Sequence, residues 1–112
     1  MPYLHIHTNV KIENHPDFLA RCSHLAAVAL EKPESYVMVE LSDNCSMVFA
    51  GSDLPLVFVE LKSIGISPAD TSHVSNKFSK MIHKLLGVDM SRIYIEFESP
   101  ERDMFGWKGG TF

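Results

Sequence analysis

A twelve-residue pattern in this chain recurs at half its length, with three identities. Leu30 to Leu41, LEKPESYVMVEL, lies over Leu86 to Phe97, LGVDMSRIYIEF, with Ser35 on Ser91, Val37 on Ile93, Val39 on Ile95 and Glu40 on Glu96. The offset is 86 − 30 = 56 residues, half of 112. Carried back, it lays the alternating run Tyr3 to Thr8 on Val59 to Ile64, a second strand-like segment. Each half then reads strand, helix, strand. A doubled βαβ unit leaves few architectures: the two strands of each unit run parallel, joined by a right-handed crossover. The expected class is α/β (α+β), with the duplicated units forming one four-stranded mixed sheet and two helices on one face. At 112 residues and 46% hydrophobic content, the chain suits a single domain, 1–112, with one core.

The local signals agree with that order. His15-Pro16-Asp17 marks a helix start, with proline at the first helical position and an acid in the first turn. Phe18, Leu19, Cys22, Leu25, Ala26 and Ala29 follow at helical spacing until Lys32-Pro33 ends the run. Ser67-Pro68-Ala69-Asp70 marks a second start, with a side-chain oxygen three residues before an acid. Val74, Phe78, Met81, Ile82 and Leu85 form its apolar stripe, and Gly87 suits a left-handed stop. Between the halves, Cys45 to Phe49 is expected to add a short strand and Gly51-Ser52-Asp53 a turn.

Strand parity assigns the faces. Leu4 and Ile6, Val37, Val39 and Leu41, Val57, Val59 and Leu61, and Ile93, Ile95 and Phe97 suit the helix side. The other face carries Tyr3, His5, His7, Met38, Glu40, Phe58, Glu60, Lys62, Tyr94 and Glu96, aromatics beside charges. Parallel strands normally have both faces covered, and nothing left in this chain covers the second. Other copies of the chain are the expected cover, which makes a homo-oligomer.

Several partners are disfavoured. A net charge of −4 without a Lys/Arg run argues against nucleic acid. No apolar run reaches membrane-spanning length, and the first residues lack the charged and hydrophobic regions of a signal peptide. Cys22 and Cys45, far apart and without a CxxC, fit reduced thiols in a cytoplasmic protein. Cys22 falls on the apolar side of its helix and reads as core; nothing near Cys45 in sequence activates it. His5 and His7 share a strand face and make half a metal site, but no third ligand stands at matching spacing, so neither a metal nor a cofactor is expected.

Met1-Pro2 is the residue pair with the most chemistry in it. Removal of Met1 would leave a terminal proline, a secondary amine, tied in place by the strand that follows. A held amine with a pKa near neutrality is a candidate general base. Taken singly, Met-Pro reads as an ordinary chain start. In the same way Lys32 reads as a solvated helix-end cation, Tyr94 as a sheet aromatic, and Trp107 and Phe112 as packing.

Taken together these residues resemble the macrophage migration inhibitory factor family of the tautomerase superfamily. The matching stretches are Met1-Pro2, Thr8-Asn9-Val10, Lys32-Pro33, Met47 to Ser52, Ser63-Ile64-Gly65, Arg92 to Ile95, Gly106-Trp107 and Gly110-Thr111-Phe112. They run in order over nearly the whole chain. The resemblance implies the tautomerase fold and a homotrimer with pockets between subunits. It also implies a keto–enol tautomerase acting on phenylpyruvate-type aromatic 2-oxo acids, with Pro2 as catalytic base. Lys32, Ser63 and the Ile64 N–H would bind the substrate carboxylate. Tyr94, from a neighbouring chain, would wall the pocket with Trp107, and Phe112 would stand at its rim. The alternative is a cytokine-like signalling protein that binds a receptor and has incidental tautomerase activity. Such members leave the cell without a signal peptide, so the location expected is cytoplasmic or secreted by that route.

Three departures from the family's vertebrate cytokine bear on this. Leu56-Val57-Phe58-Val59 stands where the cytokine has a CxxC, so thiol–disulfide chemistry has no basis here. Glu96 replaces an Asn near the pocket, where a carboxylate would repel acidic substrates or raise the Pro2 pKa. The loop Lys11 to His15 also differs, which removes support for a shared receptor contact.

Overall fold

The computed structural model describes residues 1–112. Its main elements are β1 (Tyr3–Thr8), α1 (His15–Leu30), β2 (Met38–Ser42), β3 (Val57–Lys62), α2 (Pro68–Leu86) and β4 (Ile93–Glu98), followed by a hairpin of β5 (Gly106–Trp107) and β6 (Gly110–Thr111). The four long strands form one sheet in the order β2-β1-β3-β4. The pairs β1–β2 and β3–β4 are parallel, and β1–β3 is antiparallel. This is the mixed sheet expected of a doubled βαβ unit.

Both helices lie on the face that parity selects. Phe18, Cys22 and Ala26 of α1 and Val74, Phe78 and Ile82 of α2 are buried in one cluster with Leu4, Ile6, Val57, Val59, Leu61 and Ile93. Val39, Leu41, Ile95 and Phe97 are partly buried and pack against it at the two edge strands. Burial pushes the Cys22 thiol up to about 12, so it stays protonated and packs as a small apolar group.

The repeat persists in three dimensions with one adjustment. The helix stops Glu31 and Gly87, both left-handed, lie 87 − 31 = 56 residues apart. The short 3₁₀ turns Glu34–Tyr36 and Met90–Arg92 keep the same offset, 90 − 34 = 56. The first strands differ by 57 − 3 = 54, so β3 begins at Val57 and not at the expected Val59. Val57, Val59 and Leu61 still face the helices as assigned, but an even offset lays the outward Tyr3 on buried Val57, so the first strands match in order and not in face.

Three other expectations change. Cys45 to Phe49 forms no strand; Phe49 and Ser52 make a single bridge around Ala50 and Gly51, whose φ values are 53° and 72°. Both central residues of this tight turn are left-handed, and the segment ahead of it joins neither edge strand, β2 or β4. At the start of α2, the Ser67 hydroxyl donates to the Asp70 carboxylate at 3.0 Å and caps no backbone N–H. At α1, Asn14 is the N-cap and accepts from the Asp17 N–H at 3.0 Å, which places Pro16 second in the helix.

Two polar anchors hold the loops. The Arg92 guanidinium donates to the carbonyls of Phe49, Ser52, Leu54 and Pro55 at 3.0–3.1 Å and lies over the Phe49 ring. Asp43 Oδ2 accepts from the Ile12 N–H at 2.8 Å and from His15 Nε2 at 3.0 Å. These bonds, the Ile12 N–H first, hold the Asp43 carboxyl below the usual carboxylate range.

Arg92→Lys keeps the charge and loses the planar fork. It should lower unfolding free energy in urea by about 1–3 kcal/mol, the scale of hydrogen bonds to a charged donor. For Asp43 the folded pKa is depressed, so its stabilisation is complete above the unfolded value of ~3.9 and is lost as pH falls through the folded value. Thermal melts across this acid range should show a smaller stability loss in Asp43→Asn than in the wild type.

Candidate active site

The chain begins inside the sheet. The Pro2 carbonyl accepts the Met38 N–H at 2.9 Å, continuing the β1–β2 ladder by one residue, and Pro2 is fully buried. A cavity of about 450 Å³ opens beside it, mostly apolar, with Met1, Pro2, Tyr36, Lys62, Trp107 and Phe112 in its wall.

The wall is aromatic because the tail folds back. The Phe112 N–H donates to the Phe105 carbonyl at 3.1 Å, and Arg102 Nε donates to the Phe112 carbonyl at 3.2 Å. Trp107 and Phe112 stack with centroids 5.3 Å apart and planes at 9°. Tyr36 meets both edge-on, at 5.4 and 6.1 Å. Such offset and edge-to-face contacts hold the rings as one rigid surface suited to a flat apolar ligand.

A second cleft, about 250 Å³, contains Lys32, Ser63 and Gly65. The Lys32 Nζ lies over the loop after β3, 4.0 Å from where a Cβ on Gly65 would sit. The Ser63 hydroxyl is buried without a hydrogen-bond partner. The Ile64 N–H has no acceptor within the chain, whereas the Ser63 and Gly65 N–H groups are bonded to the Glu98 carbonyl and Ser99 Oγ. A hydroxyl and a free N–H on this loop, with an ammonium over it, match the oxygens of a carboxylate. Lys32 also reaches the first cavity electrostatically. Burial, and secondarily the Lys32 charge, hold the Met1 amine below its ordinary value of 8.0.

Pro2, Trp107 and Phe112 therefore share one cavity, and Lys32 and Ser63 share the cleft beside it, with Ile64 between Ser63 and Gly65. Tyr94 joins neither. It pairs with Phe58 at the end of the sheet opposite Tyr3 and Lys62, is 62% exposed, and packs on Phe49 at 4.7 Å. Glu96 also stands outside both cavities, beside Glu60 on the open face. Sequence reasoning passed over Tyr36 and Lys62 as site residues. The 3₁₀ turn after Lys32-Pro33 brings Tyr36 onto Trp107, and the β1–β3 register sets Lys62 beside Tyr3.

The chain matches the family model described as macrophage migration inhibitory factor over residues 1–112. It is 39% identical to a macrophage migration inhibitory factor homolog of Trichinella spiralis, with 100% of both chains covered. It is 30% identical to mouse macrophage migration inhibitory factor, covering 100% of this chain and 99% of that one. The solved Trichinella spiralis structure superposes with a TM-score of 0.92 at 37% identity, over 98% of this chain and 99% of that one.

The amine environment is directly measurable. An NMR titration of the α-amine should place its pKa below 8.0, and Lys32→Ala should raise it only partway, because burial is the larger cause. A complete return to 8.0 in that variant would assign the whole shift to Lys32.

Proposed function

The chain belongs to the macrophage migration inhibitory factor family, and on that premise we propose that it is a keto–enol tautomerase for aromatic 2-oxo acids of the phenylpyruvate type. The observation that supports this best is the buried Pro2 at the edge of an aromatic cavity, in surroundings that hold the adjoining Met1 amine below its ordinary value. The working form is the chain without Met1. While Met1 is attached, the Pro2 nitrogen is an amide without a basic lone pair. Removing Met1 converts it to a secondary amine facing the space that Met1 lines.

In this reading the amine takes a proton from the carbon next to the keto group and returns one to the oxygen. One C–H bond breaks and one O–H bond forms, with no net redox change. A base near the working pH is largely unprotonated yet still able to accept a proton, worth about 10²–10⁴-fold in rate. Tyr36, Trp107 and Phe112 would stack on the aromatic ring. Lys32, the Ser63 hydroxyl and the Ile64 N–H would hold the carboxylate. Lys62, in the cavity wall, is a second cation available to it.

The assembly proposed is a homotrimer. Met38 and Tyr94 stand 65% and 62% exposed on the sheet face opposite the helices, an uncovered surface for parallel strands. Copies packed there would bring Tyr94 of one chain toward the cavity of the next. The location proposed is cytoplasmic, or outside the cell by a route without a signal peptide. No helix is long and apolar enough to cross a membrane.

Two experiments test the reading. Sedimentation should show a species of three times the 12.6 kDa chain; a stable monomer would remove the inter-subunit role of Tyr94. Phenylpyruvate turnover should fall about 10²-fold or more in Pro2→Gly. In the wild type, kcat/KM should rise with pH through an apparent pKa below the ~8 of a free terminus and then level off. Equal turnover in protein that retains Met1, checked by intact mass, would rule out the amine as base and leave the receptor-binding reading.

A further inference from the structure

The open face of the sheet carries a row of side chains that the proposed tautomerase does not use. In register, His5 lies between Glu40 on β2 and Glu60 on β3, and Glu60 lies beside Glu96 on β4. Glu40, His5, Glu60 and Glu96 thus form one line across all four strands. Like charges directly opposite each other in a sheet repel. The long strands carry four carboxylates on this face, with Glu98, and one cation, Lys62, which pairs with Glu98 at 3.6 Å. Three carboxylates therefore remain with no Lys or Arg on the same face to balance them.

Nitrogen ligands sit at the centre of that line. His5 Nδ1 is 3.9 Å and His7 Nε2 3.7 Å from the same Glu60 oxygen, Oε2. One ligand atom from each of the three residues lies within 4.8 Å of the others. His7 Nε2 is buried and has no hydrogen-bond partner. Its apolar side is covered by the Phe58 ring, with centroids 5.8 Å apart. The other nitrogen of His5, Nε2, meets Ser42 Oγ at 2.8 Å, which fixes the ring and leaves Nδ1 for a further ligand. Glu40 Oε1 is 3.8 Å from that Nδ1 and is itself held by the Tyr3 hydroxyl at 2.6 Å.

We propose that His5, His7 and Glu60 bind a divalent transition-metal ion of the zinc type, with Glu40 or water completing the shell. Two imidazoles and a carboxylate are a zinc-type donor set, whereas magnesium and calcium take oxygen ligands. A tetrahedral ion with bonds of about 2.0–2.1 Å needs donors roughly 3.3 Å apart. The two carboxylate edges measured here would close by about half an ångström on binding. Positive charge enters where three carboxylates lack a counterion. The sequence alone showed only the two histidines. Glu60 lies 60 − 5 = 55 residues on, and it becomes the third ligand through the antiparallel register of β1 and β3.

The test is a zinc titration of untagged, metal-free full-length protein carrying Cys45→Ser, so that the half-buried thiol does not compete. It should give one ion per chain with a Kd of about 1 μM or tighter. Cobalt(II) in place of zinc should show the visible absorption of a tetrahedral nitrogen–oxygen site. Excess magnesium should not displace either ion. Glu60→Gln and His7→Asn should each weaken binding by about tenfold or more, since even residues behind the ligands act on that scale. Circular dichroism reports folding of each variant; Glu60→Gln keeps the side-chain shape and carries the comparison if a histidine variant unfolds. Zinc bound equally well by wild type and Glu60→Gln would overturn the site. So would a wild type with no zinc binding tighter than ~100 μM or with octahedral cobalt only.

Discussion

The antiparallel pairing of β1 with β3 is the contact on which the rest of the molecule depends. Each βαβ half contains only a parallel pair and one helix, too little apolar surface to bury by itself. Joining the halves through their first strands puts Leu4 and Ile6 opposite Leu61 and Val59, all fully buried. That joint makes one continuous apolar face, and α1 and α2 cover it together. The same register decides the chemistry on the other side of the strands. It sets Tyr3 against Lys62 at the cavity and His5 against Glu60 one row further along.

Much of this was legible in the sequence because it is local. The period of 56 survives in the helix stops and the 3₁₀ turns, where backbone conformation is set by a few adjacent residues. The faces of β3 were legible from its own alternation, because Val57, Val59 and Leu61 are buried whichever residue begins the strand. The parts that were not legible depend on partners distant in sequence. Cys45 to Phe49 has strand-like residues, yet the Cys45 N–H goes to the Thr8 carbonyl and the segment joins no strand. Tyr36 looks like one aromatic in a turn until the tail returns from residue 105 onward to stack on it. Glu60 read as one charge on a mixed face until the register placed it beside His5 and Glu96. Tyr94 is the reverse case: family resemblance assigns it to a pocket, and the single chain holds it at the other end of the sheet.

The two polar features of the molecule answer one physical problem in different ways. A charge near an apolar wall is costly unless something compensates it. At the chain terminus, burial and Lys32 both act against the charged amine, so the group moves toward its neutral, proton-accepting form. On the open face the crowded groups are carboxylates beside imidazoles, and close carboxylates do not lose their repulsion by burial of a neighbour. They lose it by acquiring positive charge. The first environment favours a neutral amine and the second favours added positive charge. Both follow from one strand, β1, whose start is fixed at the cavity and whose outward residues, Tyr3, His5 and His7, run from one environment into the other.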